Sequence, residues 1–258
     1  MKRMLMAFLM GAMAVSFCAC TGGSTTDNPK ISVTEATEEA TKYSMNVDDY
    51  VYPEVKLSLP YTGSFMITGE KNIKNEKVEN RMPQLSMDSA EAKDINDDIH
   101  NKYKKLFDNM EKQGSDHPLG RTDYVCSLND NILSIVIETR SVDTPNSAFN
   151  VYNINVETGK KLSADEVVAL SSIDKAKAKE QLTAILKAKF SEAKKVASGM
   201  DSALAEAEAR TLADENLNSV VYYFNKDRKL VAAYRFYWIA GAESYGEIVA
   251  LDAEKTRG

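Results

Sequence analysis

The sequence predicts an α+β domain of antiparallel β-sheet with helices packed on one side, and three observations carry that prediction. β-Rich runs at 121–130, 131–142 and 147–158 are separated by short turns, which implies antiparallel pairing. Before them, Ala92, Ile95, Ile99, Tyr103, Leu106 and Met110 recur at steps of three and four, the apolar stripe of a helix. After them come helical patterns and then three strand-like runs, so helices and strands are grouped rather than alternating as in parallel sheets.

The elements follow in chain order. Val51, Val55, Leu57 and Leu59 alternate with polar residues, Pro60-Tyr61-Thr62-Gly63 supplies turn chemistry, and Phe65 and Ile67 resume the alternation, which predicts a β-hairpin turning at 60–63. A helix is expected over 88–112, capped by Ser86 or Asp88 and ended by Gly114. The three middle strands turn at Asn129-Asp130-Asn131 and Asp143-Thr144-Pro145-Asn146. In the third, Tyr152, Ile154 and Val156 share one face and Asn153 and Asn155 the other, which predicts a sheet with one wet side. Thr158-Gly159-Lys160 turns the chain, and Ser163–Glu166 has capping-box spacing, so a short helix starts at Ala164. A longer helix over 174–197 presents Leu182, Ile185, Leu186, Phe190 and Val196. Beyond Gly199 another helix spans 201–217, with Asp201 as cap and Leu204, Ala207 and Leu212 inward. Strands at 220–226, 229–238 and 246–252 close the domain, the first two joined through Asn225-Lys226-Asp227-Arg228.

Hydrophobic residues at 43% and charged residues at 27%, with Gly 12 and Pro 6, place the 258 residues among globular chains. The first twenty are different. Lys2 and Arg3 precede an apolar run from Met4 to Phe17, short for a membrane span and suited to a secretory signal. Ala19-Cys20, followed by Thr21-Gly22-Gly23-Ser24, resembles a bacterial lipobox and predicts lipid attachment at Cys20. Residues 21–46 lack a sustained apolar period and are expected to form a flexible tether of about 25–30 Å end to end. The folded part is then 47–256, with a division at 145/146 as one possible subdomain boundary. These features predict an exported protein held at the cell envelope by a lipid anchor. Cys126 is the thiol left in the mature chain and is expected to be a buried small hydrophobe. The formal charge of −6, made more negative by loss of Lys2 and Arg3, argues against nucleic acid or anionic headgroups as partners and leaves room for a basic one.

His100 and His117 have no zinc-ligand spacing, and Asp94, Asp97 and Asp98 oppose a helix dipole rather than follow an EF-hand pattern, so neither a metal nor a cofactor is expected. No pair among the 38 acidic residues stands out for glycoside hydrolysis. Gly241 to Gly246 has one residue too many for a nucleophile elbow. The expectation is a protein that is not an enzyme. Tyr222, Tyr223, Phe224, Tyr234, Phe236, Tyr237, Trp238 and Tyr245 form the densest aromatic cluster, about half of it expected in the core and the rest exposed. Tyr237, Trp238 and Tyr245, beside Glu243, are the candidate ligand-binding residues for a protein or glycan partner.

Tyr52-Pro53, Met82-Pro83-Gln84-Leu85, Ile95-Asn96, Ile132-Leu133-Ser134-Ile135, Tyr152-Asn153-Ile154-Asn155, Thr158-Gly159-Lys160, Tyr237-Trp238-Ile239-Ala240-Gly241 and Tyr245-Gly246-Glu247-Ile248 together carry a resemblance. Through them residues 47–252 resemble the extracytoplasmic domain shared by RsiV-type anti-sigma factors and the N-terminal region of PdaC-type peptidoglycan deacetylases. In RsiV-type proteins this module senses lysozyme by binding it. The resemblance therefore implies a binding module whose partner is a lysozyme-like protein or a cell-wall component. Neither the cytoplasmic anti-sigma segment of the first group nor the metal-dependent catalytic domain of the second has a counterpart in this sequence. Two alternatives remain beside it: an envelope glycan hydrolase or deacetylase accessory, and a structural component of envelope assembly. The oligomeric state is not legible.

Overall fold

The computed structural model describes residues 43–113, 120–141, 147–197, 199–238 and 244–252. The expected signal segment, Cys20, most of the expected tether, His117, Gly114 and Glu243 lie outside these. The described residues form one compact unit. Among the described residues, no helix is long and apolar enough to cross a membrane.

Among the described residues, three antiparallel sheets and five helices make an α+β fold. β1 (Val51–Phe65) and β2 (Glu70–Leu85) form a long two-stranded ribbon; α1 (Ala90–Gln113) follows. β3 (Gly120–Asn129), β4 (Ile132–Ser141) and β5 (Ser147–Asn155) form the middle meander. Because β4 and β5 are hydrogen-bonded neighbours, a division at 145/146 passes through this sheet. Then come α2 (Ala164–Ala169), α3 (Lys175–Val196), α4 (Asp201–Thr211) and α5 (Asp214–Asn218), and a last meander of β6 (Val221–Phe224), β7 (Leu230–Phe236) and β8 (Tyr245–Ala250).

Side-chain alternation sorts these into layers. Tyr124, Leu133, Ile135, Ile137, Tyr152 and Ile154 on one face of the middle sheet pack against Ala92, Ile95, Ile99, Tyr103 and Phe107 of α1. Each fully buried aliphatic or aromatic side chain of that stripe contributes about 1.5–3 kcal/mol by burial. Val136, with Val125 and Val151, packs from the opposite face onto Tyr223, Val231 and Ala233 of the last sheet. The outer face of that sheet, through Tyr222, Phe224, Ala232, Tyr234 and Phe236, meets Leu182, Leu186, Phe190 and Leu204 of α3 and α4. Each three-stranded sheet thus carries helices on one side.

Several local expectations are corrected. The ribbon turns at Met66–Gly69, with Gly69 at φ +71°, and not at 60–63. Pro60 and Gly63 instead sit inside β1, where the register shifts between Tyr61 and Gly63. The cap of α1 is Ser89, whose hydroxyl accepts the Ala92 N–H at 3.1 Å, rather than Ser86 or Asp88. Val196 of α3 is exposed, not inward. Asp201 opens α4 as its first residue and makes no side-chain cap, and the helix expected over 201–217 is two helices. The chain is extended at Ala213 between them, and the Asn216 amide donates to Thr211 O at 2.8 Å and Arg235 O at 3.0 Å, tying off the end of α4. The last residues of the expected tether belong to the domain, since Tyr43 packs on the α1 core and Asn46 caps a short 3₁₀ turn, Val47–Asp49. The capping box at Ser163 and Glu166 is present as expected.

The wet face expected of the middle sheet is not wet, because the last sheet covers it. Asn153 is buried, its amide donating to Tyr222 O at 2.8 Å, and Ser134 Oγ accepts Phe224 N–H at 3.4 Å. Ser127 Oγ donates to Phe224 O, and Asn129 Nδ2 donates to Asn225 O at 3.1 Å. The free edge of β6 is therefore paired with side chains from the face of another sheet, which satisfies backbone groups that burial would otherwise leave without partners.

Candidate functional site

The aromatic cluster is more buried than expected. Tyr222, Tyr223, Phe224, Tyr234 and Phe236 are all core residues, and Tyr237, Trp238 and Tyr245 are half-buried rather than exposed. Alternation in β7 points Tyr234 and Phe236 at the helices, and their neighbours close over them. Phe190 stacks on Phe236 at 5.0 Å between ring centroids, and Trp238 on the same ring at 5.9 Å. Tyr245 meets Phe236 at 5.5 Å. Phe236 thus brings Trp238 and Tyr245 together, whereas Tyr237 lies against α4, with the Arg210 guanidinium 4.3 Å from its ring centre and its N–H donating to Thr211 Oγ1.

Tyr245 also lines a half-open groove of about 770 Å³ between the middle and last sheets. One wall is β5, through Ser147, Phe149 and Asn150; the other is β7 and β8, through Arg235, Tyr245 and Gly246, with Ser219 and Ser244 adding hydroxyls. Gly246 makes the close approach of the walls possible. A Cβ there would lie 2.6 Å from the Phe149 ring and 2.8 Å from Ser147 O. Burial, with help from the Glu247 carboxylate, pushes the Tyr245 phenol up to about 12, so it remains a neutral hydrogen-bond donor near neutral pH.

Arg235 is the charged residue of this lining. Its side chain is exposed in β7, and among the described residues no carboxylate pairs with it. The sequence carried a signal for it, a single charge inside the apolar run from Leu230 to Trp238. Phe149, Ser219 and Gly246 carried none, because only the packing of distant strands brings them to one groove.

The other residues weighed for chemistry are engaged elsewhere. Asp98 accepts from Lys102 Nζ and Tyr152 Oη, both at 2.7 Å, while Asp94 and Asp97 are exposed. Among the described residues, no three His, Cys, Asp or Glu side chains come together as a ligand set. His100 Nδ1 lies 3.6 Å from Glu54 Oε1 on the surface. Cys126 is half-buried beside the α1 core, and burial pushes its thiol up to about 12, which disfavours the nucleophilic thiolate.

Fold and groove together define an α+β module of packed antiparallel sheets with an aromatic and cationic cleft between them. No family model matches the chain, and no curated protein matches it.

Proposed function

We propose that this chain is an envelope lipoprotein, anchored through Cys20, whose folded domain binds a cell-wall component in the groove between its sheets and does no chemistry on it. The observation that carries this reading is the composition of the groove: the exposed guanidinium of Arg235 on one wall, Phe149 and Asn150 on the other, and serine hydroxyls beside them. General acid–base catalysis uses a group that titrates near the working pH. A guanidinium, hydroxyls and an amide are groups that hold and orient a ligand. The signal segment with its lipobox-like Cys20 and the resemblance to the RsiV-type extracytoplasmic module support the location and the binding role. A lysozyme-like protein is the second reading, favoured by the formal charge of −6, which would steer a basic partner.

Titration calorimetry of the chain from Thr21 onward against peptidoglycan fragments and against lysozyme tests both. Heat of binding with wall fragments and no released product supports the first reading. Binding of neither would sink the binding-module proposal, and turnover of the fragments would favour the accessory-enzyme alternative. Replacing Cys20 with serine in the full chain is expected to abolish lipid labelling and move the protein to the soluble fraction.

A further inference from the structure

We propose that the open stretch of β5 and Arg235 together bind an extended peptide that carries a carboxylate. This rests on the binding-module reading and specifies the ligand of the same groove.

The argument starts from strand parity. In β5, Asn153 O accepts the Leu162 N–H and Asn155 N–H donates to Lys160 O, both at 2.8 Å, so the backbone groups of these odd-numbered residues point away from β4. The register between β4 and β5 runs without a shift from Ser147 to Asn155, so Ser147, Phe149 and Val151 point their backbone groups the same way. At one end this edge is closed by residues 160–162, and at the other Ser147 O abuts Gly246. Between them the N–H and C=O groups of Phe149 and Val151 have no backbone partner among the described residues. Of these four backbone hydrogen-bonding groups, spaced as in any strand, the pair of Phe149 lies on the wall of the groove and the pair of Val151 continues the same edge next to it.

A strand edge of this kind is completed by an extended peptide, whose main chain supplies the missing ladder. The window between the two closed ends is short and fits about three residues. On the facing wall Arg235 supplies a planar fork of donors suited to a carboxylate. Gly246 keeps that wall low where it meets β5. Main-chain pairing to Phe149 and Val151 would give affinity, and Arg235 would select a peptide with an acidic side chain or a free C-terminus over a neutral one. A glycan without peptide has no N–H and C=O ladder to offer, so among wall components the stem peptide is the part that fits.

The test uses soluble muropeptides with free stem-peptide carboxyls, the same fragments with those carboxyls amidated, and lysozyme. With the chain from Thr21 onward, free-acid muropeptides are expected to bind, and amidation or Arg235→Ala to weaken binding about tenfold or more, with Arg235→Lys between. On binding, the amides of Phe149 and Val151 should shift and exchange more slowly with solvent by nuclear magnetic resonance. If muropeptides bind but neither amidation, Arg235→Ala nor these amides respond, the peptide proposal is overturned while the binding-module reading stands. If lysozyme alone binds, and Arg235→Ala binds it unchanged, the outcome is the same. If nothing binds, both fail.

Discussion

Glu138 accepts the backbone N–H of Ile67 at 2.9 Å across a separation of 71 residues, and through it the middle sheet holds the tip of the β1–β2 ribbon. The same oxygen accepts Met66 N–H at 2.8 Å, and the other accepts Ser147 Oγ–H at 2.6 Å. Glu138→Ala leaves these donors without a partner and is expected to cost about 3 kcal/mol, read as a fall in thermal midpoint of about 10 °C. Glu138→Gln keeps an acceptor for the two N–H groups and should stay within about 1 kcal/mol of wild type.

The same pair has a pH signature. Burial holds the Glu138 carboxyl above its ordinary value of 4.5, against the opposing effects of Ser147, the two N–H groups and Arg140. A raised folded-state pKa means that the stabilising contribution is fully present below the ordinary value and is lost as pH rises through the raised one. Wild type should therefore gain stability relative to Glu138→Gln as pH falls through this window, when both are compared by denaturant titration. A difference that is flat with pH would contradict the assignment.

Asn153 predicts a second pH effect, of engineered origin. Its amide must donate to Tyr222 O and its oxygen accepts Ser134 Oγ–H at 2.7 Å. Asn153→Asp replaces the donor with a buried carboxylate facing a carbonyl, and the expected loss at neutral pH is about 3 kcal/mol. On protonation the acid can donate again, so this variant should recover part of its stability as pH falls, whereas Asn153→Ala should not.

Gly246→Ala is expected to destabilise by about 1–3 kcal/mol, because the new methyl meets backbone as well as a ring. Combining it with Phe149→Ala should recover only part of the loss, since Ser147 O remains in the way. Thermal denaturation of the two variants and the double variant checks this.

Asp123 is nearly inaccessible and accepts from Arg81 Nε at 2.6 Å, with Arg121 Nη2 at 3.5 Å. Arg121 is itself buried, over the Phe65 ring at 4.2 Å. Asp123→Ala would take the counter-ion from the partly exposed Arg81, while Arg121 keeps Glu70 Oε2 at 2.5 Å, and should cost about 2 kcal/mol. Asp123→Ala combined with Arg81→Met should be more stable than Asp123→Ala alone, which unfolding curves of the two would show.

What the sequence made legible was local. The capping box at Ser163 and Glu166 is complete within four residues, and the β3–β4 turn rests on Asp130, whose φ of +52° suits its residue type. The α1 stripe was legible for the same reason. The ribbon turn was not, since Pro60 to Gly63 has good turn chemistry and the partner that anchors residues 66 and 67 lies in β4. Alternation placed Asn153 on the correct face but could not say that another sheet would cover it. At the groove, Tyr245 and the lone charge of Arg235 could be found in the sequence. The unpaired edge at Phe149 and Val151 needed the register of β5 and the closure of its two ends.

The docking of β6 onto side chains of the middle sheet also sets an order of assembly. Ser127, Asn129, Ser134 and Asn153 are at ease in water before their partners arrive, whereas Val125, Val136 and Val151 on the same face gain their cover only from the last sheet. β6 has no such freedom: until that polar face exists, its edge is an open template for other chains. The half made last on the ribosome finds the partners for its open edge already built.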